Sequence, residues 1–502
     1  MSYREIILKN VSFQYDTSAI RIIEDCTTHF STGWTGIVGA NGSGKTTILR
    51  LATGELKPVN GHIATPVDTR YCEQRTDTAP KKFENLLRST DSDACKIRGM
   101  LHLEDDWSER WITLSHGERK RAQIGTALWL RPDVLAIDEP TNHIDSEARR
   151  QLMTALKHFT AIGLLVSHDR DFIDGLCSQC LFIDPPHAVL RPGNYSAGAV
   201  QERREEESRQ KQYNEAKKAY KRLHSEVVRR SSIAAQADKK RSKRGLKWKD
   251  SDSRSKINMA RITGKDAVAG KLLNQIRTRE KKAKEHKSGI TVRKKPTLGI
   301  SLDTMASKRD VLYRIPEANI PLGDDRCLVF PNLVMLPHDR IALTGANGCG
   351  KSTLVGHIMD RIQIEKDKVI YIPQEIPVDA SRDFMNNVRK LSEELIGATM
   401  TVVSRLGSQP DRLLESDEPS PGELRKLILA MGIAQTPELI VMDEPTNHMD
   451  IPSIQCVEEA LDSCCCGLLL VSHDMRFLEK LTNICWKFET ISGKGDVRVR
   501  IV

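Results

Sequence analysis

Residues 36–47 read GIVGANGSGKTT, and residues 343–353 read LTGANGCGKST. In each, an apolar run closes on glycine and opens into the pattern G-x-x-x-x-G-K-[ST]. Gly39, Gly44, Lys45 and Thr46 carry it first, and Gly345, Gly350, Lys351 and Ser352 carry it again. Bare glycines let backbone N–H groups approach a phosphate, and the positive N-terminus of the following helix adds to the attraction. Lys45 and Lys351 suit the β- and γ-phosphates, and Thr46 and Ser352 offer oxygens to Mg²⁺. Asn41, Gly42 and Thr47, with Asn347, Gly348 and Thr353, complete the two expected cradles. A single match can be an ordinary Gly-rich turn, so the surroundings decide.

The surroundings repeat. Val134–Ile137 is an apolar run ending in Asp138 and Glu139, and Leu439–Met442 ends in Asp443 and Glu444. Two carboxylates at a strand end beside a P-loop suit Mg²⁺ binding (Asp138, Asp443) and polarisation of an attacking water (Glu139, Glu444). An N-capping pair before a helix is the plainer alternative, and Asp145 has the look of such a cap. His168 follows Leu164–Ser167 and His473 follows Leu468–Ser472, again at strand ends where α/β folds place ligands. The lysines are 306 residues apart, and the first aspartates and the histidines 305 apart; EPTNH occurs verbatim at 139–143 and 444–448. This is a duplicated nucleotide-binding unit of α/β class, two domains in tandem.

Between them, residues 201–296 hold 31 Lys and Arg against 12 Asp and Glu, a net +19 in a chain of net +9, so the rest sums to −10. A basic segment between two acidic bodies is where nucleic acid would bind. Tyr213, Ala216, Tyr220, Leu223 and Val227 form a heptad seam, and Ala269, Leu272, Ile276 and Ala283 form another. Gly245 and Gly264 bracket breakers between them. The expectation is a long antiparallel helical hairpin starting at Gln201, with a basic tip at about 245–263; a disordered linker is the alternative. At the tip, Lys247, Trp248, Lys249, Arg254, Lys256, Met259 and Arg261 combine charge, a flat ring that can stack on a base, and apolar bulk. The plainer reading has Trp248 and Met259 closing the hairpin on itself. The expected domains are therefore 1–200, 201–296 and 297–502.

The N-terminal MSYREIILKN has no apolar core, and no run approaches the ~18 residues of a membrane span, so a cytoplasmic protein is expected. Twelve cysteines lack framework spacing, which suggests reduced thiols. Cys177 and Cys180 form a lone CxxC with no second pair nearby to complete a zinc site.

At this point the chain resembles the ATP-binding cassette proteins, over both bodies. The family signature LSGGQ matches Leu114-Ser115-His116-Gly117-Glu118 and Pro419-Ser420-Pro421-Gly422-Glu423, with His116 and Pro421 as departures. Gln74 and Gln374 match its Q-loop, and Tyr15 its adenine-stacking aromatic; the second half shows no equally clear aromatic. The resemblance implies ATP and Mg²⁺ as cofactors, and a head-to-tail pairing within one monomer. Site one would be Lys45, Thr46, Gln74, Asp138, Glu139 and His168, closed by Ser420 and Gly422. Site two would be Lys351, Ser352, Gln374, Asp443, Glu444 and His473, closed by Ser115 and Gly117. Two fused cassettes, a charged helical linker and EPTNHxD in both halves resemble the ABC-F class, as does Gly193-Asn194-Tyr195-Ser196 before the linker. That class implies binding to the ribosome at the tRNA exit site, with the linker reaching toward peptidyl-site tRNA and rRNA and no membrane partner. The short Gln74-to-Ser115 spacing and the long linker resemble antibiotic-resistance members. A housekeeping translation factor and an export-pump ATPase are the alternatives.

Overall fold

Two sheets of matching strand order carry the two P-loops. The first runs Thr69–Cys72, Val134–Asp138, Ile162–Val166, Gly33–Gly39, Gln179–Asp184, His187–Pro192. The first five strands are parallel and the last is antiparallel. The second repeats this with Val369–Ile372, Leu439–Asp443, Gly467–Val471, Arg340–Thr344, Ile484–Thr490 and Val497–Ile501. It then continues into Arg326–Phe330 and Ala318–Gly323, whereas the first half sets Ile23–Phe30, Ile6–Phe13 and Asn60–Ala64 apart as an antiparallel sheet. The central strands are buried along their whole length, which is why VLAI before Asp138 and GLLLV read as unbroken apolar runs.

The chain is seen here as a computed structural model describing residues 5–16, 21–142, 144–241, 255, 267–290, 307–323, 326–408, 410–415, 419–491 and 496–502. It divides into two units, Met1–Gly198 with Pro296–Val502, and Ala199–Lys295. Both cassettes thus share one unit. Lys45–Ala52 and Lys351–Met359 follow the P-loops, entered through Gly44 and Gly350 at φ of 97° and 92°. A residue with a Cβ would be strained there. His116–Trp129 and Pro421–Ala434 start at the two signatures. Ser115 and Ser420 are their N-caps, each in a capping box with a glutamate, Glu118 or Glu423. Pro421 occupies the first helical position, where a missing N–H costs the helix nothing, so this departure is compatible with the helix.

The linker is helical over Tyr195–Arg241 and Ala267–Gly289. The 47 residues of the first helix span about 70 Å at 1.5 Å per residue. His224 Nδ1 lies 2.7 Å from Glu280 Oε1, and Lys287 Nζ lies 5.4 Å from the Tyr220 ring centroid. Residue numbers fall on one helix as they rise on the other, so the hairpin is antiparallel. Ala216, Leu273 and Ile276 are buried on the facing seams, with Tyr220, Leu223 and Leu272 half-buried beside them. The expected tip residues Lys247, Trp248, Lys249, Arg254, Lys256, Met259 and Arg261 lie outside the described residues.

The helix begins at Tyr195 rather than Gln201. Asn194 Oδ1 accepts the Ala197 N–H at 3.0 Å, as an N-cap does. The Tyr195 ring stacks on Phe182, and the Ser196 N–H donates to Asp174 at 2.9 Å. The second cassette also reaches this start. Gln455 Nε2 donates to the Tyr195 hydroxyl at 3.1 Å and Arg476 Nη1 to Ser196 Oγ at 3.0 Å. The cassettes are further joined by Arg170, which is buried and donates to Glu458 at 2.5 Å and Asp474 at 3.3 Å.

Candidate functional site

The carboxyl ends of the central strands in cassette one converge on a cleft of about 420 Å³. Lys45 Nζ donates to the carbonyls of Gly39 and Ala40 at 3.1 and 3.0 Å, which holds the ammonium inside its own loop. Burial lowers its pKa, and Glu139, Asp450 and Asp138 oppose that shift. Thr46 Oγ1 donates to Asp138 Oδ2 at 2.7 Å, and the Tyr71 hydroxyl donates to the same oxygen at 3.1 Å. A hydroxyl and a carboxylate side by side at the P-loop fit the hard-oxygen set that Mg²⁺ takes alongside phosphate.

Glu139 follows directly. It is buried, and burial pushes its carboxyl up to about 8. Oε2 accepts the His168 N–H at 3.2 Å; Oε1 lies 3.1 Å from the His168 ring Nε2 but makes no hydrogen bond of sound geometry. A buried, unsatisfied carboxylate oxygen facing the cleft is available to a water. Burial, then Lys45, holds the His168 imidazole down at about 3, so it is neutral at ordinary pH. Glu139 has φ of 45° and Glu444 φ of 49°, left-handed in both cassettes. The same left-handed backbone recurs at the equivalent position of both cassettes, and no residue-type signal gives it away.

The wall opposite Lys45 comes from the other cassette. Ser420, Pro421, Gly422 and His448 line the same cleft, as do Tyr15 and Gln74. Asp450 Oδ2 accepts the backbone N–H of Asn41 at 2.5 Å, and the His448 carbonyl accepts from Asn41 Nδ2 at 3.3 Å. A Cβ on Gly422 would stand 3.0 Å from the His448 carbonyl, a tight approach that a larger residue would have to relieve by shifting that backbone. Sequence reasoning paired Lys45 with Ser420 and Gly422 but missed Asp450 and His448. The repeated EPTNHxD was the available signal, because its aspartate recurs in both halves.

Site two brings the same types together differently. Lys351 Nζ donates to Gly345 and Ala346 carbonyls at 2.8 and 3.0 Å and lies 3.4 Å from His473 Nε2. That ring nitrogen is also 2.9 Å from Asn347 Oδ1. Glu444, like Glu139, is pushed up to about 8 by burial, and its Oε2 accepts the His473 N–H at 3.4 Å. Ser352 hydrogen-bonds Asp443 and lowers its pKa against the larger effect of burial. Gln374, Asn347, Glu444 and His473 line a cavity with Asn142, Ile144 and Arg149 of cassette one. Ser115 and Gly117 are not among the residues of that cavity. All twelve cysteines are free thiols, Cys349 within the second P-loop among them, and no group of three or more metal-ligating side chains occurs among the described residues.

Residues 25–142 and 331–447 each match the ABC transporter family. The ribosome protection protein VmlR of Bacillus subtilis is 27% identical over 89% of this chain and 80% of its own length. The probable ATP-binding protein YheS of Escherichia coli is 27% identical over 89% of this chain and 73% of its own. Among solved structures, the archaeal ribosome recycling factor aABCE1, in complex with the ribosomal stalk protein aP1, superposes with a TM-score of 0.61 at 18% identity. That match covers 98% of this chain and 89% of the other, and it speaks for the fold. No helix among the described residues is long and apolar enough to cross a membrane.

Proposed function

The chain belongs to the ABC family, as a twin-cassette member akin to the ABC-F proteins, and on that premise we propose that it is a ribosome-binding ATPase. It hydrolyses ATP to ADP and phosphate. Lys45 and Lys351 face the β- and γ-phosphates. Glu139 and Glu444 align the attacking water and accept its proton, while His168 and His473 stay neutral beside them. Bound magnesium, held through Thr46 with Asp138 and Ser352 with Asp443, would offset charge on the phosphates. Ser420 and Gly422 close site one; Ser115 and Gly117 close site two once the cassettes draw together.

The observation that carries the partner is the antiparallel hairpin between the cassettes, within a stretch of net +19. Two helices rich in Lys and Arg match RNA phosphates, whose contacts position without specifying. The hairpin engages the ribosome at the tRNA exit site and carries its tip toward the peptidyl-transferase centre, countering a drug bound there. The relative named as a ribosome protection protein supports this reading over a housekeeping role. A growth-inhibition panel with drugs of the large ribosomal subunit, on expression in a sensitive host, tests it. Raised tolerance to at least one class is expected, and Trp248→Ala or Met259→Ala should lower that tolerance with ATPase rate and ribosome pelleting intact. Unchanged tolerance across the panel would return the chain to the housekeeping reading.

A further inference from the structure

Lys120 has no exposed surface, and Arg425 is 3% exposed. Each is the fifth residue after its signature serine, Ser115 or Ser420. Long cationic side chains are rarely buried this far without a charged partner. Here the hydrogen-bond partners are main-chain carbonyls. Lys120 Nζ donates to Glu73 at 2.5 Å and to Asp138 at 3.0 Å. Arg425 donates through Nη2 to the Gln374 carbonyl and through Nη1 to the Asn447 carbonyl. Burial lowers the pKa of both cations, so each persists against a desolvation cost that an aliphatic side chain would avoid.

The carbonyls are not arbitrary ones. Glu73 precedes Gln74, and Asp138 precedes Glu139. Gln374 is itself the Q-loop glutamine of cassette two. Asn447 precedes His448, whose carbonyl meets Asn41 across the interface. Lys120 therefore pins its signature helix to the Gln74 loop and to the strand end before Glu139, and Arg425 pins its own to the Gln374 loop and to the turn that follows Glu444. The signature of one cassette serves the other cassette's nucleotide. Ser420 and Gly422 line site one, while Gln374, held by the same helix through Arg425, faces site two.

We propose that Lys120 and Arg425 are positioning residues that couple the two nucleotide sites, each tying the helix that closes one site to the catalytic loop of the other. This rests on the crossed-site reading above. A helix turn transmits a displacement at Lys120 to Ser115 with little loss, because the hydrogen-bonded backbone between them is rigid. Two packed elements with one buried tie shift together or not at all.

The test uses the full chain with MgATP in two backgrounds. Glu139→Gln leaves only site two to turn over, and Glu444→Gln leaves only site one. Arg425→Met is expected to lower kcat at site two and to raise the ATP KM at site one, each by at least about fivefold. Lys120→Met should give the mirror pattern, kcat at site one and KM at site two. Restoring the cation with Arg425→Lys or Lys120→Arg should recover part of the loss and leave a crossed shift of about twofold. Effects confined to the site of the substituted residue's own cassette would overturn the coupling. So would equal losses in kcat and KM at both sites accompanied by a lower unfolding temperature, which would mark mere structural support. Should the Met variants fail to fold, the swaps Lys120→Arg and Arg425→Lys decide alone: a crossed shift of about twofold supports the coupling, and its absence overturns it. Backgrounds that keep wild-type turnover would instead sink the assignment of Glu139 and Glu444, and the proposal with it.

Discussion

Site one and site two contain the same residue types at a nearly constant offset, yet the opposite cassette's signature lines the first cleft and is missing from the cavity at the second. At site one, Asn41 bonds across to Asp450 and His448, and Ser420 and Gly422 complete the cleft. At site two, Asn347 instead meets His473 of the same cassette, and His473 also approaches Lys351. The Arg170–Glu458 tie is answered one position off the repeat: Met475 stands where a second arginine would fall, and Arg476 instead pairs with Asp171 and Asp174 of the first cassette. A motif therefore specifies which atoms a site can use. Which site is assembled depends on contacts between residues about 400 positions apart, and these need not obey the repeat.

The largest expected effect would erase the difference between the sites. Glu139→Gln with Glu444→Gln should keep ATP binding and reduce turnover by about 10²-fold or more, since an amide cannot accept the proton from water. Phosphate release and nucleotide binding measured side by side check this; near wild-type turnover would break the assignment. The single variants then sharpen the comparison. Glu139→Gln should cost more at low ATP than Glu444→Gln, because site one already has its trans wall. Equal losses would mean that the asymmetry has no kinetic weight.

A smaller effect is expected from the bond that makes site one composite. Asp450 caps the helix Ile451–Asp462 through Oδ1 to Ser453 N at 2.8 Å, and offers Oδ2 to Asn41. Asp145 makes the same cap to Ala148 N at 2.9 Å. Loss of a cap costs each variant about 1 kcal/mol of stability. Asp450→Ala also loses a charge-assisted bond worth about 1.5–3 kcal/mol, so the site-one KM for ATP should rise about tenfold. Asp145→Ala should change the site-two KM by about threefold or less. A KM that falls in Asp450→Ala would recast the carboxylate as a competitor of phosphate for the Asn41 N–H.

Much of this was legible in the chain. P-loops, carboxylate pairs and histidines announce themselves because phosphate chemistry narrows the choice of residue at each position. The hairpin was legible from two seams at 3-4 spacing. Its start was not, because Tyr195 and Ser196 belong to the helix through contacts with Phe182 and Asp174, which no local periodicity contains. The left-handed backbone of Glu139 and Glu444 was equally hidden, since glutamate has no preference for positive φ and the surrounding sheet imposes it. Asp145 and Asp450 look alike as caps, and only packing gives the second oxygen of Asp450 a partner across the interface.

The smallest expected effect concerns the base. Tyr15 packs edge-on against Phe13 with centroids 5.0 Å apart, and its hydroxyl lies 3.1 Å from Thr47 Oγ1, so the ring is held at the rim of the site-one cleft. In the second cassette, residues 318–329 contain no aromatic, and Leu322 lies over Gly350 much as Ile22 lies over Gly44. Stacking of a base on an aromatic ring is worth about 1–3 kcal/mol, and a leucine offers contact without a π face. Tyr15→Ala should therefore raise the site-one KM for ATP by about fivefold, the lower part of that range, while leaving kcat unchanged. In the Glu139→Gln background, where site two alone turns over, the same substitution should do nothing. Tyr15→Phe keeps the ring and loses only the Thr47 bond, so a change of about twofold or less is expected. If Tyr15→Phe matched Tyr15→Ala, the hydroxyl would matter through Thr47 and the P-loop helix, and the two sites would differ in how the phosphate cradle is braced rather than in how the base is held.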